Sequence, residues 1–282
     1  MRKMRCLALL TLLCLLLSAA ASAEEAYTGP DWSFGVSLKK LSSAELTLAN
    51  KDHPMSAAEE PTDLVTLRAR RNNTEGENTN GGVYLAGGGT CKLRPSAANA
   101  AMMLMNAAES HDLRLYLRFG YRSYADTEKR YERAVALKDM VGVQKAGESD
   151  FQTGLAVVLV GKDWRGKPMG SDFLNTPEWA FLQENAAKYG FIVRYPEGKE
   201  SLTGNTAAPW ILRYVGDGVA GYITGKGLCL EEFVQQLDQA YVDFEAAGGI
   251  LSAVRAQELP EGPVELNEKG PDGDAEIVLF HD

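Results

Sequence analysis

Apolar positions in the middle of the chain alternate between short continuous runs and longer stretches with helical spacing. Pro95 opens a stretch in which small and apolar side chains recur every three or four residues, which predicts a helix. The apolar run Leu113–Phe119 predicts a strand that Gly120 ends. A polar amphipathic stretch then predicts a second helix at Asp126–Met140, before a buried strand at Leu155–Val160.

The same mixture of elements continues towards the C-terminal end. Helical spacing predicts helices at Pro177–Tyr189 and Leu230–Ala246, and apolar runs predict strands at Phe191–Tyr195 and Ile211–Val215. Helices and strands are interleaved without strict alternation. The pattern therefore predicts an α+β fold, a single main domain with a mainly antiparallel sheet.

The first 23 residues differ from the rest and are typical of a secretory signal peptide. Arginine and lysine near the start precede an apolar run from Cys6 to Leu17, and the small residues Ala21-Ser22-Ala23 follow it. The apolar run is too short to span a bilayer comfortably, and no second one follows. We therefore expect a secreted or extracytoplasmic protein, cleaved near Ala23, with no membrane span in the mature chain.

Further segments flank the main domain. Residues 24–82 predict an N-terminal arm and a polar loop, with one extended run at Leu46–Asn50 and a segment rich in Asn, Glu, Thr and Gly at Arg71–Gly82. Residues 83–247 form the predicted core domain. Residues 248–282 carry two short apolar runs around a Gly-Pro-Asp-Gly turn, which predicts a C-terminal hairpin extension.

Charge narrows the choice of partner. The chain has 38 acidic and 29 basic residues and a formal charge of -9. Such an acidic chain has no general attraction for nucleic acid, so we expect no nucleic-acid partner. The acidic pair Glu231-Glu232 opens the last helix, where carboxylates suit the helix dipole, and we interpret it in that way.

Histidine and cysteine limit the possible chemistry. The chain has only three histidines, so a mechanism that needs several imidazoles has few candidates. Cys91 and Cys229 lie beyond the predicted signal peptide. In an oxidising compartment they permit one disulfide, and two free thiols are the alternative.

Three stretches of the core domain carry a resemblance to a known family. They are Gly120-Tyr121-Arg122-Ser123-Tyr124, the segment from Ser149 to Val158, and the segment from Ala208 to Gly216. Their order and spacing resemble the zinc D-alanyl-D-alanine carboxypeptidases of the VanY type, peptidases of the M15 family that trim the stem peptides of peptidoglycan. The resemblance covers about Leu46 to Leu237 and implies the α+β fold of that family.

The resemblance also implies that the family's metal site is lost. In that family the second stretch reads S-x-H-x-x-G-x-x-x-D and the third reads E-P-W-H, with two histidines and the aspartate on zinc and the glutamate as general base. The ligand positions here are Phe151, Val158 and Ile211, and the base position is Ala208. Phe, Val and Ile offer no lone pair to a metal, so we expect no zinc, no other cofactor and no catalysis by the family mechanism.

The substrate side of the resemblance is better preserved. Arg122, Ser123, Ser149 and Gln152 stand at matching positions, which implies that they bind substrate. A guanidinium suits this work because it is permanently charged and binds a carboxylate with two hydrogen bonds. The family's glutamine a few residues further on is Thr127 here. The alternative is that Arg122 merely pairs with an acidic residue inside a retained scaffold.

These observations lead to a functional expectation with two alternatives. We expect a secreted, degenerate carboxypeptidase-like protein, a pseudoenzyme that binds peptidoglycan stem peptide or cell wall. One alternative is a scaffold or regulatory protein that uses another surface. The other is a still-active peptidoglycan carboxypeptidase with relocated catalytic groups.

Overall fold

The computed structural model describes residues 44–246 except 73, 75–77, 79, 88 and 139–141. The predicted signal peptide, the first part of the predicted arm and the predicted hairpin at 248–282 lie outside the described residues. The division into arm, core domain and extension stays a prediction.

The architecture is a mixture of helices and antiparallel sheet, which confirms the predicted fold class. The strands are β1 Val65–Arg68, β2 Thr90–Leu93, β3 Tyr116–Phe119, β4 Ala156–Val160, β5 Phe191–Tyr195 and β6 Ala208–Tyr214. β1 and β2 form a two-stranded sheet, and the other four form a sheet of order β3-β4-β6-β5 in which every pair is antiparallel. β4 is central and wholly buried, which explains its uninterrupted apolar sequence.

Helices surround this sheet. They are α1 Pro95–Glu109, α2 Tyr124–Leu137, α3 Pro177–Asn185, α4 Glu200–Thr203, α5 Asp217–Lys226 and α6 Leu230–Ala246. α6 begins at the predicted residue, Leu230, and continues to Ala246, the last described residue. α2 begins two residues before the predicted start because the Ser123 hydroxyl accepts the Asp126 N–H at 3.1 Å and caps the helix there. No part of the described chain forms a helix both long and apolar enough to cross a membrane.

The structure corrects several predicted elements. At the extended run predicted for Leu46–Asn50, Leu46 ends a 3-10 turn, and the Asn50 side chain accepts the N–H groups of Asp52 and His53 at 3.0 and 2.9 Å and closes a second turn. The strand predicted from Leu113 begins only at Tyr116, and the strand predicted from Ile211 already begins at Ala208. The helix predicted at 177–189 ends as an α-helix at 185 and continues as a 3-10 turn to 189.

Two apolar clusters hold these elements together. The larger lies between the sheet and helices α1 and α3, where the alanines of α1 let that helix approach the sheet closely. The smaller packs α5 and α6 against Ile192 of β5 and Leu46 of the N-terminal segment. The end of the sheet where β3 leads into α2 stays open to solvent, since Phe119 is exposed there.

Candidate functional site

A cleft of about 260 Å³ opens between the first turns of α2, the 3-10 turn at Asp150–Thr153 and the start of β6. Five of the eight positions singled out in the sequence line it: Arg122, Ser149, Phe151, Ala208 and Ile211. Residues more than 80 positions apart in the chain thus meet at one place. This is the candidate functional site.

The other ligand position, Val158, lies in the core beside the cleft. Val158 is 2% exposed and pairs across the sheet with Phe119. The Phe119 ring in turn meets the Phe151 ring edge-on, with centroids 6.5 Å apart. The three positions at which the resemblance implies zinc ligands therefore belong to one apolar neighbourhood.

The side chains at these positions do not fit a zinc ion. Phe151, Val158 and Ile211 offer hydrocarbon, whereas zinc in proteins takes nitrogen, sulfur or oxygen ligands. Ala208 offers a methyl group at the position of the general base. Within the described residues, no group of three or more His, Cys, Asp or Glu side chains is placed to hold a metal.

Arg122 faces this apolar neighbourhood. Its backbone N–H donates to the Phe151 carbonyl at 3.2 Å, and its guanidinium carbon lies 5.5 Å from the centre of the Phe151 ring. None of the ion pairs among the described residues includes Arg122. The pKa of Arg122 is lowered, chiefly by burial and then by the charge of Arg130, while Asp126 opposes the shift. The guanidinium is thus half-buried without a salt bridge of its own.

Two of the predicted substrate residues make contacts within the scaffold. The Ser123 hydroxyl donates to the Asp126 carboxylate at 2.8 Å as part of the cap of α2. Gln152 is fully buried, and its side-chain oxygen accepts the Gly147 N–H at 2.7 Å. Thr127, at the family's glutamine position, lines the cleft but donates its hydroxyl to the Ser123 carbonyl at 2.8 Å. The assignment of these residues to substrate binding stays a prediction.

Sequence reasoning missed a buried charge network next to the cleft. Asp150 immediately precedes Phe151 and is completely buried. One of its carboxylate oxygens lies 2.6 Å from Arg213 Nη1, a hydrogen bond, and 3.1 Å from Arg194 Nε. The Arg194 N–H is not aligned for a hydrogen bond, so that second contact is an ion pair alone. Single charged residues inside the apolar strands β5 and β6 were the signal that could have revealed the network.

The network reaches from the sheet to both ends of the described chain. Arg194 donates to both carboxylate oxygens of Glu231 on α6, at 2.7 and 3.0 Å. Arg213 Nη2 donates to the backbone carbonyls of Glu45 and Thr47, both at 2.9 Å. The interpretation of Glu231 through the helix dipole alone was therefore incomplete, because its carboxylate binds a buried guanidinium.

Burial affects the two arginines of the network differently. Burial lowers the pKa of Arg213 and outweighs the attraction of Asp150. Burial also disfavours the charged form of Arg194, but the negative charges of Asp150 and Glu231 outweigh burial, so the pKa of Arg194 is raised. The difference follows from the number of carboxylates, because Arg194 contacts two and Arg213 contacts one.

Both cysteines of the described chain are free thiols, so the disulfide that the sequence permits is not formed here. Burial raises the pKa of Cys91 and of Cys229 to about 11. Neither group is a thiolate at neutral pH, so neither is suited to act as a nucleophile there.

Comparisons with known proteins identify a family with a similar sequence. The sequence model of the family described as "VanY: D-alanyl-D-alanine carboxypeptidase" matches residues 90–217, which include the whole of β6 and the Ser149–Val158 segment. The chain is 33% identical to a putative carboxypeptidase, YodJ, of Bacillus subtilis over 196 residues, which cover 68% of this chain and 67% of that protein. It is 27% identical to a D-alanyl-D-alanine carboxypeptidase of Enterococcus faecium, over 69% of this chain and 58% of the relative.

A solved structure is also similar. The LdcB LD-carboxypeptidase, whose structure is described as revealing the molecular basis of peptidoglycan recognition, matches with a TM-score of 0.55 and 33% identity. The match covers 67% of this chain and 85% of that structure.

Proposed function

The chain belongs to the VanY family of D-alanyl-D-alanine carboxypeptidases, and from that premise we propose that it is a non-catalytic member that binds the stem peptide of peptidoglycan. The observation that carries the proposal is a contrast within one cleft. Phe151 and Ile211, at positions where the resemblance implies zinc ligands, line the cleft with hydrocarbon, whereas Arg122 lines the same cleft without an ion pair among the described residues. The proposed protein has lost the hydrolytic reaction of the family but still binds the stem peptide.

Loss of the reaction follows from the chemistry of the side chains. A metal ion in such a site would lower the pKa of a bound water and polarise the scissile carbonyl. Phe151, Val158 and Ile211 cannot hold that ion, and Ala208 cannot accept a proton from water. The cysteine thiols do not replace them, because both are protonated at neutral pH.

Retention of the ligand follows from the charge and shape of the cleft. The Arg122 guanidinium can bind the terminal carboxylate of a peptide with two parallel hydrogen bonds. Phe151 and Ile211 line the same cleft and offer an apolar surface for a small side chain such as the methyl group of alanine. Because Arg122 is partly desolvated, such a pair is less screened by water than one on an open surface.

We further propose that the protein works outside the cytoplasm, after cleavage near Ala23. The basic start, the apolar run and the small residues of the first 23 positions support this. The similarity to LdcB, a protein described in terms of peptidoglycan recognition, supports the same location.

The test measures metal, cleavage and binding on the same purified mature protein. We expect no stoichiometric zinc by elemental analysis and no cleavage of a pentapeptide ending in D-Ala-D-Ala by mass spectrometry. We expect calorimetry to detect binding of that peptide and Arg122→Ala to weaken it by about 1.5 to 3 kcal/mol, the contribution of a hydrogen bond to a charged group. The control is Arg133→Ala, which removes an exposed arginine of α2 outside the cleft lining.

Other results would favour other functions. Release of D-alanine would show a working carboxypeptidase with relocated catalytic groups. Absence of binding would favour a scaffold that uses another surface. Equal binding by Arg122→Ala and the unaltered protein would contradict the proposed contact between Arg122 and the terminal carboxylate of the peptide.

A further inference from the structure

A second arginine, Arg130, lines the same cleft as Arg122. It lies on α2, is exposed, and takes part in no ion pair among the described residues. The described residues that line the cleft include no Asp or Glu. Two positive side chains without a lining carboxylate are unexpected in a chain with nine more acidic than basic residues, 38 against 29.

The walls of the cleft supply no compensating charge. Gln144 donates through its amide nitrogen to the Tyr195 hydroxyl at 2.9 Å and to the Asn205 side-chain oxygen at 2.8 Å, which makes one wall neutral and internally bonded. Burial raises the pKa of Tyr195 to about 12, so its hydroxyl stays protonated at neutral pH. The positive charge of the cleft is therefore left for a ligand to neutralise.

Asp126 is the acidic group that affects Arg122, and it does not remove this excess. Its charge raises the pKa of Arg122, against burial and the repulsion from Arg130, but the net shift is downward. Its carboxylate accepts the Ser123 hydroxyl at 2.8 Å and lies outside the cleft lining. Arg130 thus affects the pKa of Arg122 more strongly than Asp126 does.

We propose that this cleft selects a ligand with two carboxylates, one at Arg122 and one at Arg130. The ligand class is a short acidic peptide that ends in a free carboxylate and carries a second free carboxylate close to that end. The inference rests on the proposed function, because it specifies which stem peptides the cleft accepts. A cleft of about 260 Å³ lies just below the range of ordinary small-molecule sites, roughly 300–1,000 Å³, and so fits the end of a peptide.

The experiment compares two peptides that end in D-alanine and differ only in glutamate or glutamine at the preceding position. Glutamine has the same shape as glutamate without the charge, so the comparison isolates the second carboxylate. We expect calorimetry at low salt to give about tenfold tighter binding for the glutamate peptide, a preference that shrinks as salt screens the pair. Arg130→Gln should reduce the preference to about one, because it removes the proposed partner of the second carboxylate.

Two controls make the result specific. Arg133→Gln removes an exposed arginine of the same helix that does not line the cleft, and it should keep the full preference. Arg122→Gln should weaken binding of both peptides, because the terminal carboxylate is common to them.

The possible failures are distinguishable. Equal binding of the two peptides by the unaltered protein would overturn the two-carboxylate inference and leave stem-peptide binding intact. Binding of neither peptide would overturn the proposed function itself. If Arg130→Gln kept the preference for the glutamate peptide, another group would bind the second carboxylate, and the assignment of Arg130 would be overturned.

Discussion

The cleft and the buried charge network lie side by side, but their arginines differ in whether they have carboxylate partners. In the network, Arg194 and Arg213 are fully buried, both contact Asp150, and Arg194 also contacts Glu231. In the cleft, two arginines face a lining without any described carboxylate. A guanidinium with carboxylate partners stabilises the scaffold, whereas one without them is available to a ligand.

A single short segment contributes to both regions. In the 3-10 turn Asp150–Thr153, Asp150 belongs to the network and its neighbour Phe151 lines the cleft. Phe151 stands at a position where the resemblance implies a zinc ligand, while Asp150 next to it contacts two buried arginines. The network joins the sheet to α6 and the N-terminal segment without any contact from Phe151, Val158 or Ile211, so we expect this part of the fold to be independent of the residues at those positions.

The largest expected effect comes from converting the apolar side of the cleft into a polar one. The variant combines Phe151→His, Val158→Asp and Ile211→His with Ala208→Glu as the missing base. Without metal, its free energy of unfolding should be lower by on the order of 5 kcal/mol. Because the four positions are expected to surround one point, zinc at 100 times its dissociation constant should restore about 2.7 kcal/mol of the lost stability. Chemical denaturation with and without zinc measures both quantities.

A matched variant separates metal binding from the cost of added polarity. Phe151→Gln, Val158→Asn and Ile211→Gln place polar groups at the same positions without the ligand set, and zinc should not stabilise that protein. If the complete replacement does not fold, the pair Phe151→His and Ile211→His leaves β4 intact and should still gain stability from zinc. A folded variant with no response to zinc would contradict the convergence of these positions.

The next largest effect tests the network. Asp150→Asn keeps the shape of the side chain but leaves two buried guanidiniums with one carboxylate. Removing one partner from a buried ion pair costs about 3 to 5 kcal/mol. We expect a loss of that size in the free energy of unfolding, measured by chemical denaturation at neutral pH.

The surface provides a matched control for this substitution. Asp63 pairs with Arg94 at 3.0 Å, and nearly half of its side chain is exposed. Asp63→Asn should cost less than about 1 kcal/mol, because water replaces the lost partner. Similar losses for the two variants would show that the network contributes no more than an ordinary surface pair.

The sequence predicted the cleft better than it predicted the network, for a physical reason. Arg122, Phe151 and Ile211 belong to stretches whose order and spacing identify a family, so their convergence follows from the fold of that family. The partners of Arg194 depend on how β5, the turn at Asp150 and α6 pack together, which local patterns do not specify. The predicted start of α6 was correct because its apolar spacing is strong, whereas α5 was missed because it contains glycines, which lower helix propensity.

The smallest expected effect comes from Glu232, which follows Glu231 on α6 and is only partly buried beside Lys199. Partial burial acts to raise its pKa, but the hydrogen bonds from the Lys199 ammonium and the Cys229 N–H, both 2.8 Å, outweigh it and lower the pKa. Because the pKa is lower in the folded state, this stabilisation is complete above the ordinary pKa of a glutamate and is lost as pH falls through the lowered value.

Glu232→Gln should therefore reduce the free energy of unfolding by about 1 kcal/mol or less at neutral pH, since a helix-capping carboxylate and a partly exposed ion pair each contribute at most about that much. The difference between variant and unaltered protein should shrink towards zero as the solution is acidified below the lowered pKa. The control is Glu128→Gln, which removes a carboxylate from an exposed position on α2. A loss at neutral pH as large as that of Asp150→Asn would contradict the distinction between partly exposed pairs and the buried network, because Glu232 would then stabilise the fold as strongly as a fully buried carboxylate.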